Sequence, residues 1–304
     1  MDGVAVTEAR NPNTMDIDEM DSFGICRMMN DEDQKVARAV AEVLPEVARA
    51  VDLVADALLR GGRLIYAGAG TSGRIGVLDA AECPPTFGVA PEVVTALIAG
   101  GRKAVLRAVE GVEDDESRGV RDLRRLKPGP RDVVVVLAAS GRTPYSLGVL
   151  REAKRLGCAT VAVTCDPSSI IARQADISIA PNAGPEVIMG STRLKAATAQ
   201  KMVVNMISTG AMIKTGRVYS NLMVDMVPCN AKLVRRAIRM VMLATGASES
   251  EAAKAFEDAG RRTKVAIVML LAGVDADRAV QLLERARGFV RKAVGFAQEG
   301  EAKR

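Results

Sequence analysis

The sequence predicts an α/β fold in which helices cover both faces of a doubly wound, five-stranded parallel sheet. The first observation is a series of short apolar runs in the middle of the chain, each of strand length. The second is that helical patterns separate these runs, as crossover helices separate the buried strands of a parallel sheet. The same patterns place an N-terminal helical arm before the sheet and a small C-terminal helical module after it.

The chain begins with an acidic arm. Residues 1–34 carry nine acidic and two basic side chains, and the arm includes turn-forming residues at 11–14. From Asp31, apolar residues recur at steps of three and four, which predicts one long amphipathic helix that ends at Gly61. Asp31 or Asp33 can cap its start. We therefore expect an irregular arm and a single helix before the first strand.

Five apolar runs supply the predicted strands. They lie at residues 64–67, 93–99, 133–139, 160–164 and 177–180. Helical segments at 144–156 and 168–175 separate the later runs, and a longer helical tract covers 191–214. This alternation is typical of a parallel sheet with crossover helices.

The end of the chain predicts four further helices. They cover residues 231–244, 249–259, 264–271 and 275–291. Ser248 and Glu251 have the spacing of a capping box, and Asp275 can cap the last helix. The sequence thus divides into three expected parts. These are an arm with a helix at 1–60, the sheet domain at 61–228 and the helical module at 229–304.

The composition excludes several kinds of site. The chain has 304 residues and no histidine, so His-based triads, His–Cys pairs and most catalytic zinc sites are excluded. It has no tryptophan, three tyrosines and five phenylalanines, too few to favour a nucleic-acid surface that stacks bases on aromatic rings. Acid–base chemistry must therefore come from Asp, Glu, Lys, Tyr or Cys side chains.

The cysteines and apolar runs indicate a reduced, cytoplasmic protein. The five cysteines are an odd number without a C-x-x-C pair, and the acidic N-terminus lacks the apolar core of a signal peptide. The longest apolar runs, at 133–139 and 265–272, are far shorter than a membrane span. We expect no membrane partner.

The net charge of +5 is unevenly distributed. Residues 1–34 carry −7, so the rest of the chain sums to +12. A basic surface of this size suits either nucleic acid or a small phosphorylated ligand. The densest basic stretch, residues 121–127, is interrupted by Asp122, and we interpret it as a solvated helix end. The sequence therefore predicts no nucleic-acid partner.

A glycine-rich loop follows the first predicted strand. Residues 68–73 match the G-x-G-x-x-G spacing of dinucleotide sites and precede a helix. Such sites also need an acidic residue at the end of the second strand, and residues 98–101 supply none. Gly70, with the hydroxyls of Thr71 and Ser72 at a helix N-terminus, instead suits a phosphate. Two other interpretations of this loop are a tight turn that binds no ligand and a site for a nicotinamide cofactor.

A second small loop follows the third predicted strand. Ser140, Gly141, Arg142 and Thr143 come directly before Pro144, which can open a helix. In an open parallel sheet, ligands bind where the C-termini of strands meet the starts of helices. The two loops together therefore predict one phosphate held from both sides. Arg142 either helps to bind the negative charge of that phosphate or is an ordinary surface residue.

These two loops resemble the paired loops of SIS (sugar isomerase) domains, which bind phosphosugars. The chain as a whole is similar to one family, the N-acetylmuramic acid 6-phosphate etherases, from about residue 7 to about residue 292. The similar segments are 7–11, 30–33, 68–74, 78–88, 109–114, 140–144, 190–196 and 221–225, of which Glu82-Cys83-Pro84-Pro85-Thr86 is quite specific. The resemblance implies a lyase that releases D-lactate from N-acetylmuramic acid 6-phosphate and leaves N-acetylglucosamine 6-phosphate, in cell-wall recycling.

The resemblance also implies two catalytic carboxylates, Glu82 as proton donor and Glu113 as base. Elimination from a ring-opened sugar needs two such groups but no metal or redox cofactor, so we expect neither. The apolar sequence around Glu82 predicts partial burial, which would raise its pKa, although an ordinary helix-end glutamate is an equal alternative. The acidic cluster around Glu113 indicates, on composition alone, a solvated turn.

The same resemblance places Glu186, Ser191, Arg193 and Lys195 at the sugar, in this chain or in a neighbouring subunit. A capped helix start explains Ser191 equally well. Because SIS domains commonly complete their sites across a dimer, the resemblance implies a homodimer with sites near the subunit interface.

Two other functions stay open at this point. A phosphosugar aldose–ketose isomerase could use the same fold through an enediolate, and a non-catalytic sugar-phosphate sensor belongs to a different class. The presence of both Glu82 and Glu113 disfavours a sensor. Cys83 is interpreted as a buried apolar residue rather than a nucleophile, because no histidine is available to activate it.

Overall fold

The structure is a computed structural model, and it describes residues 6–301. One five-stranded sheet is present, with the strands in the order β2-β1-β3-β4-β5. The strands are β1 (Leu64–Gly68), β2 (Val94–Ile98), β3 (Val133–Leu137), β4 (Ala159–Val163) and β5 (Ile177–Ile179). All neighbouring strands run parallel, so the predicted doubly wound parallel sheet is confirmed.

The centre of the sheet is built from β1 and β3. Every residue of these two strands is buried, as expected of strands that are covered on both faces. The register pairs Gly68 with Leu137, so β1 and β3 end side by side. The strand order changes direction between them, and such switch points are where ligands bind in open α/β sheets.

Helices surround and follow the sheet, and three short 3-10 turns precede them. The turns are Val6–Glu8, Pro12–Thr14 and Ile17–Glu19. The helices are α1 (Ser22–Ala41), α2 (Leu44–Leu59), α3 (Gly70–Phe87), α4 (Arg102–Leu106), α5 (Glu116–Arg125), α6 (Pro144–Arg155), α7 (Ile170–Gln174), α8 (Lys195–Lys214), α9 (Ala231–Thr245), α10 (Glu249–Asp258), α11 (Thr263–Ala272), α12 (Ala276–Arg285) and α13 (Val290–Glu301).

The single long helix expected before the first strand is wrong in two respects. It begins at Ser22 rather than Asp31, because the Asp21 side chain accepts a hydrogen bond of 2.8 Å from the Gly24 N–H and caps α1. It is also broken into α1 and α2, since Pro45 lies in the first turn of α2, where its missing N–H costs nothing. The residues between the two helices keep the apolar spacing, so the break leaves little trace in the periodicity.

The last predicted helix is likewise two helices. Arg287 has a φ of 52° and Gly288 a φ of +83°, and this left-handed pair ends the helical path after α12. The Gly288 N–H donates to the Leu283 carbonyl oxygen over 2.8 Å, as in a helix C-cap. The predicted caps at Ser248 and Asp275 are confirmed, since Ser248 forms a complete capping box and Asp275 accepts from the Arg278 N–H.

The chain divides into two compact units. The first comprises the residues up to Ala81 and Pro91–Ser208, and it contains the sheet. The second comprises Glu82–Ala90 and the residues from Thr209 onward. This division differs from the three expected parts, whose status as domains stays a prediction. The outer ends of the expected first and third parts, residues 1–5 and 302–304, lie outside the described residues.

The second unit has its own apolar core and a partly buried ion pair. Phe256 and Ile267 are fully buried among the helices from α9 to α13. The Lys264 ammonium donates to the Gly216 carbonyl oxygen over 2.8 Å and pairs with Asp225. Burial lowers the pKa of Lys264, and the Asp225 charge opposes that shift. This pair ties α11 to the irregular segment that follows α8.

Within residues 6–301, none of the helices combines the length and the apolar composition needed to cross a membrane.

Candidate active site

Glycines with close backbone neighbours shape the loop after β1. A Cβ added to Gly68 would lie 2.9 Å from both the Gly73 nitrogen and the Leu137 carbonyl oxygen. One added to Gly73 would lie 2.6 Å from the Gly68 carbonyl oxygen. Gly70 has a φ of +53°, in the left-handed region that glycine occupies without strain. These residues bring the N-terminus of α3 against the end of β1.

The second loop, between β3 and α6, is held in a similar way. Gly141 has a φ of +63°, and a Cβ there would lie 2.2 Å from the Ser169 Oγ atom. Thr143 is the N-cap residue of α6, yet its side chain makes no capping hydrogen bond. Its hydroxyl is therefore available to a ligand at the helix N-terminus.

A cavity of about 310 Å³ lies at these two loops, within the first unit. Six of the predicted site residues line it: Gly70, Thr71, Ser72, Glu113, Ser140 and Thr143. The structure thus brings both predicted phosphate loops and one predicted catalytic carboxylate to the same cavity. Its volume is at the lower end of the range for small-molecule sites.

The electrostatics of the loop side of this cavity suit an anion. The N-termini of α3 and α6 both lie at the loops that line it, and each presents the positive end of a helix dipole. Hydroxyls from the two loops add four hydrogen-bond donors. Such a combination binds a phosphate group without a lysine or arginine in direct contact.

Arg74 also lines the cavity, and the only signal for it in the sequence is its place in segment 68–74, which is similar to the etherase family. Its guanidinium donates from Nε to the Val105 carbonyl oxygen over 3.1 Å and from Nη2 to the Arg107 carbonyl oxygen over 3.2 Å. These bonds join α3 to the end of α4 and fix the position of the guanidinium. Arg74 therefore supplies a positive charge in the wall of the cavity.

Glu113 lies at the cavity because the backbone around it is tied down. The Glu113 carbonyl oxygen accepts a hydrogen bond of 2.9 Å from the Tyr145 N–H, in the first turn of α6. The neighbouring acidic residues have other contacts: Asp115 caps α5 and Glu116 pairs with Arg151. Glu110 lines the cavity together with Glu113. The acidic segment is thus more than a solvated turn, since two of its carboxylates lie at the candidate site.

Glu82 belongs to the second unit, on the last turns of α3. The expectation of partial burial is wrong, because the Glu82 side chain is exposed. Among its apolar neighbours in the sequence, Ala80 and Cys83 are buried, whereas Ala81 is exposed like Glu82. The buried position of Cys83 agrees with the apolar role predicted for it. The catalytic pairing of Glu82 with Glu113 stays a prediction.

The other two residues of the second loop have different surroundings. Gly141 is buried, and its lack of a side chain leaves room for the side chain of Ser169. Arg142 is exposed, and its guanidinium lies 3.7 Å from Asp166 Oδ2. Neither lines the cavity in this structure.

Glu186 and Lys195 are buried and fully engaged at the start of α8. The two carboxylate oxygens of Glu186 accept hydrogen bonds of 2.9 Å from the N–H groups of Lys195 and Ala196, which caps the helix. The Lys195 ammonium donates to Glu32 Oε2 over 2.7 Å and to the Ala183 carbonyl oxygen over 2.8 Å. Sequence reasoning placed both residues at the sugar, whereas here they hold protein segments together.

The segment between Glu186 and Lys195 reaches the cavity through Thr192. Ser191 is half-buried and Arg193 is exposed, and neither lines the cavity. Glu8, from the first turn of the arm, lines it too. Glu8 and Thr192 both fall in segments similar to the etherase family, which was the one signal for them in the sequence.

The described residues contain no cluster of three or more Cys, Asp or Glu side chains arranged to hold a metal ion.

Two family descriptions match parts of the chain. "Glucokinase regulatory protein N-terminal SIS domain" matches residues 46–154, and "SIS domain" matches residues 125–209. Among solved structures, a phosphoheptose isomerase from Francisella tularensis superposes with a TM-score of 0.49 at 19% identity, over 62% of this chain and 100% of that one.

Curated relatives match nearly the whole chain. N-acetylmuramic acid 6-phosphate etherases from Yersinia pestis (strain Pestoides F) and Yersinia pseudotuberculosis serotype O:1b (strain IP 31758) are each 56% identical to it over 292 residues. The matched region covers 96% of this chain and 99% of each relative. Identity at this level, over this length, establishes that the chain belongs to the N-acetylmuramic acid 6-phosphate etherase family.

Proposed function

We propose that this protein is a carbon–oxygen lyase that cleaves the D-lactyl ether of N-acetylmuramic acid 6-phosphate. Its products are N-acetylglucosamine 6-phosphate and D-lactate. The observation that carries the proposal is the 56% identity with curated etherases over 96% of the chain. The cavity supports it, because it combines an anion site with carboxylates.

The phosphate of the substrate binds between the two loops. Thr71, Ser72, Ser140 and Thr143 donate hydroxyl hydrogen bonds to its oxygens. The N-terminus of α3 adds backbone N–H groups, and α6 contributes the positive end of its helix dipole. Gly70 allows the backbone to approach the ligand closely, and Gly141 contributes indirectly, because it lets the second loop pass close to Ser169. Arg142 can leave its 3.7 Å contact with Asp166 and add a charge at the rim.

The chemistry is an elimination followed by an addition. Opening of the sugar ring makes the first carbon an aldehyde, which acidifies the proton on the second carbon. Glu113 removes that proton, the electron pair forms a double bond to the third carbon, and the bond to the lactyl oxygen breaks. Glu82 protonates the departing oxygen, so that lactate leaves as the hydroxy acid. Water then adds across the double bond and restores the sugar.

The carboxylates in this scheme take over the roles that histidine has in many enzymes. A base and an acid are both required, and the chain contains no imidazole. The position of Glu113 at the cavity supports its role as the base, whereas the role of Glu82 as the acid rests on the family resemblance alone.

The protein acts as a cytoplasmic homodimer in this proposal. The resemblance to SIS domains is what supports the dimer, in which Ser191 and Arg193 of one subunit contribute to the sugar site near the subunit interface. Glu186 and Lys195 contribute indirectly, by fixing the segment that carries Ser191 and Arg193.

The direct test is release of D-lactate from N-acetylmuramic acid 6-phosphate by the purified protein. Glu82→Gln and Glu113→Gln should each lower the rate at least about 100-fold, because a positioned acid or base typically contributes a factor of 10²–10⁴. Both variants should still bind N-acetylglucosamine 6-phosphate. Asp114→Asn is the matched control, since it removes an exposed carboxylate next to Glu113, and it should keep normal activity.

Full activity in both glutamine variants would contradict the assigned roles. Conversion of fructose 6-phosphate to an aldose phosphate, without lactate release from the muramyl substrate, would instead identify an isomerase.

A further inference from the structure

Glu8 lies in the wall of the cavity, at the end of the 3-10 turn Val6–Glu8. Its Oε2 atom is 3.5 Å from the position that a Cβ on Gly190 would occupy. The carboxylate is therefore beside the segment that brings Thr192 to the same cavity. Glu8 and Thr192 form a wall that comes from neither phosphate loop, and we call these two residues the arm-side wall.

The arm-side wall is held in place by buried contacts. The Asn11 side chain donates to the Pro185 carbonyl oxygen over 3.2 Å, and the Thr14 hydroxyl donates to the Val187 carbonyl oxygen over 2.8 Å. Both Asn11 and Thr14 are buried, as is Thr7 next to Glu8. The arm thus lies fixed along the segment that precedes α8, and the position of Glu8 follows from that attachment.

The Glu8 carboxylate has no protein partner among residues 6–301, since it forms neither an ion pair nor a hydrogen bond there. The Glu8 side chain is exposed towards the cavity and solvent, whereas the carboxylates of Glu32 and Glu186 are buried and paired within the protein. Arg74, the cation in the cavity wall, is already engaged by two backbone carbonyl oxygens. Glu8 therefore presents an acceptor-only group to whatever fills the cavity.

The chemistry of that acceptor limits what it can contact. A carboxylate repels a phosphate, so Glu8 cannot belong to the phosphate end of a bound ligand. It can accept hydrogen bonds from hydroxyl or amide N–H groups, which sugars carry and inorganic phosphate at neutral pH supplies poorly. Removing a hydrogen bond to a charged group costs about 1.5–3 kcal/mol.

We infer that Glu8 is a substrate-contacting residue that accepts a hydrogen bond from a hydroxyl or amide N–H of the bound amino sugar, and thereby distinguishes a sugar phosphate from phosphate itself. The inference rests on the proposed function, because it takes the ligand to be a phosphorylated amino sugar.

The test compares two probes, N-acetylglucosamine 6-phosphate and inorganic phosphate, by calorimetric titration of the full chain. Glu8→Ala should weaken binding of the sugar phosphate about 10- to 100-fold and leave the dissociation constant of inorganic phosphate within about twofold. Glu8→Gln keeps an acceptor oxygen, so its affinity for the sugar phosphate should fall between wild type and Glu8→Ala. Glu19→Ala, an exposed carboxylate on the same arm, is the control and should match wild type.

Sugar-phosphate affinity within twofold of wild type in Glu8→Ala would overturn the inference. An equal loss for both probes would also overturn it, because Glu8 would then act through the fold of the whole site. A different result would refute only the proposed function. In that case the wild type would bind the sugar phosphate, and binding would depend on Glu8, but the wild type would release no D-lactate from the muramyl substrate. A wild type that binds no sugar phosphate would refute both.

Discussion

The ammonium of Lys195 lies 2.7 Å from Glu32 Oε2, and both side chains are buried although 163 residues separate them in the chain. The Asn13 side chain donates to Glu32 Oε1 over 3.0 Å, and Lys35 contacts the same oxygen. One buried carboxylate thus joins the arm, α1 and the start of α8. This relationship fixes the two segments that form the arm-side wall of the cavity.

Loss of one partner of this pair should destabilise the fold strongly. Lys195→Met leaves the Glu32 carboxylate buried without its main cation, and we expect the free energy of unfolding to fall by about 3–5 kcal/mol. The double variant Glu32→Gln/Lys195→Met should lose less than the sum of the single variants, because no buried charge is left unpaired. Urea unfolding of the four proteins measures both quantities.

The control for this cycle is Lys154→Met, which removes a lysine paired with Asp176 over 2.8 Å at the surface. It should cost at most about 1 kcal/mol. A cost for Lys195→Met no larger than that of Lys154→Met would show that the buried pair contributes little.

The same carboxylate predicts a dependence of stability on pH. Burial would raise the pKa of Glu32, but hydrogen bonds from Lys195, Lys35 and Asn13 lower it to about 2, from an ordinary value of 4.5. The unfolded chain therefore binds the proton more readily than the folded one. The stabilisation is complete above the ordinary pKa and is lost as the pH falls from about 4.5 towards 2.

Urea unfolding at a series of pH values between about 7 and 3 tests this expectation. The free energy of unfolding of the wild type should decline more steeply below pH 5 than that of Glu32→Gln, which has no carboxylate to protonate at this position. Parallel declines in the two proteins would place the acid sensitivity elsewhere.

Alanine should destabilise the protein at Gly73, in the loop after β1, but not at Gly295, in α13. Gly73→Ala should lower the free energy of unfolding by about 1–3 kcal/mol, since its Cβ would lie 2.6 Å from the Gly68 carbonyl oxygen and the loop would have to shift. It should also weaken phosphate binding. Gly295→Ala is the matched control, because Gly295 lies in α13 with no atom within 4 Å of its added Cβ.

Both substitutions raise intrinsic helix propensity by about 1 kcal/mol, so a difference between them isolates the contact with Gly68. Thermal unfolding and a phosphate titration measure the two effects. Equal stabilisation in both variants would contradict the close approach of α3 to β1.

Removal of the Thr143 hydroxyl should weaken ligand binding without lowering the stability of the fold. Its hydroxyl lines the cavity but makes no capping hydrogen bond, so Thr143→Ala should weaken binding of N-acetylglucosamine 6-phosphate about 10-fold or more and leave the unfolding free energy within about 0.5 kcal/mol. Ser248→Ala should do the reverse, since Ser248 caps α10 in the second unit. We expect it to cost about 1 kcal/mol and to leave ligand affinity unchanged. A stability loss in Thr143→Ala equal to that in Ser248→Ala would mean that its hydroxyl caps α6.

The sheet and the phosphate loops could be predicted because their signals are local. A strand such as β3 is a continuous apolar run, and a loop such as 68–73 has its glycines and hydroxyls within six residues. The rule that ligands bind at the C-termini of parallel strands then predicts that the two loops lie together. The register of Gly68 against Leu137 agrees with that expectation.

The surroundings of Lys195 and Glu82 could not be predicted in this way. Whether a lysine contacts a ligand or a buried carboxylate depends on which distant segment packs against it, and Glu32 lies 163 positions away. The burial of Glu82 depends on the direction of one side chain on a helix, and its apolar neighbours in the sequence do not determine that direction. Glu8 and Thr192 were missed for the same reason, because they meet only after the arm folds back.

Because the arm carries Glu8, recognition of the sugar depends on how firmly the arm is attached. The phosphate loops belong to the ends of central strands, which open last in most sheets, whereas Glu8 is held by a terminal segment through a few hydrogen bonds. Local unfolding of that segment would leave phosphate binding by the two loops intact, but it would remove the contact of Glu8 with the sugar. With the role inferred for Glu8, phosphate affinity and recognition of the attached sugar are therefore separable properties, and substitutions in the arm could change the second without the first.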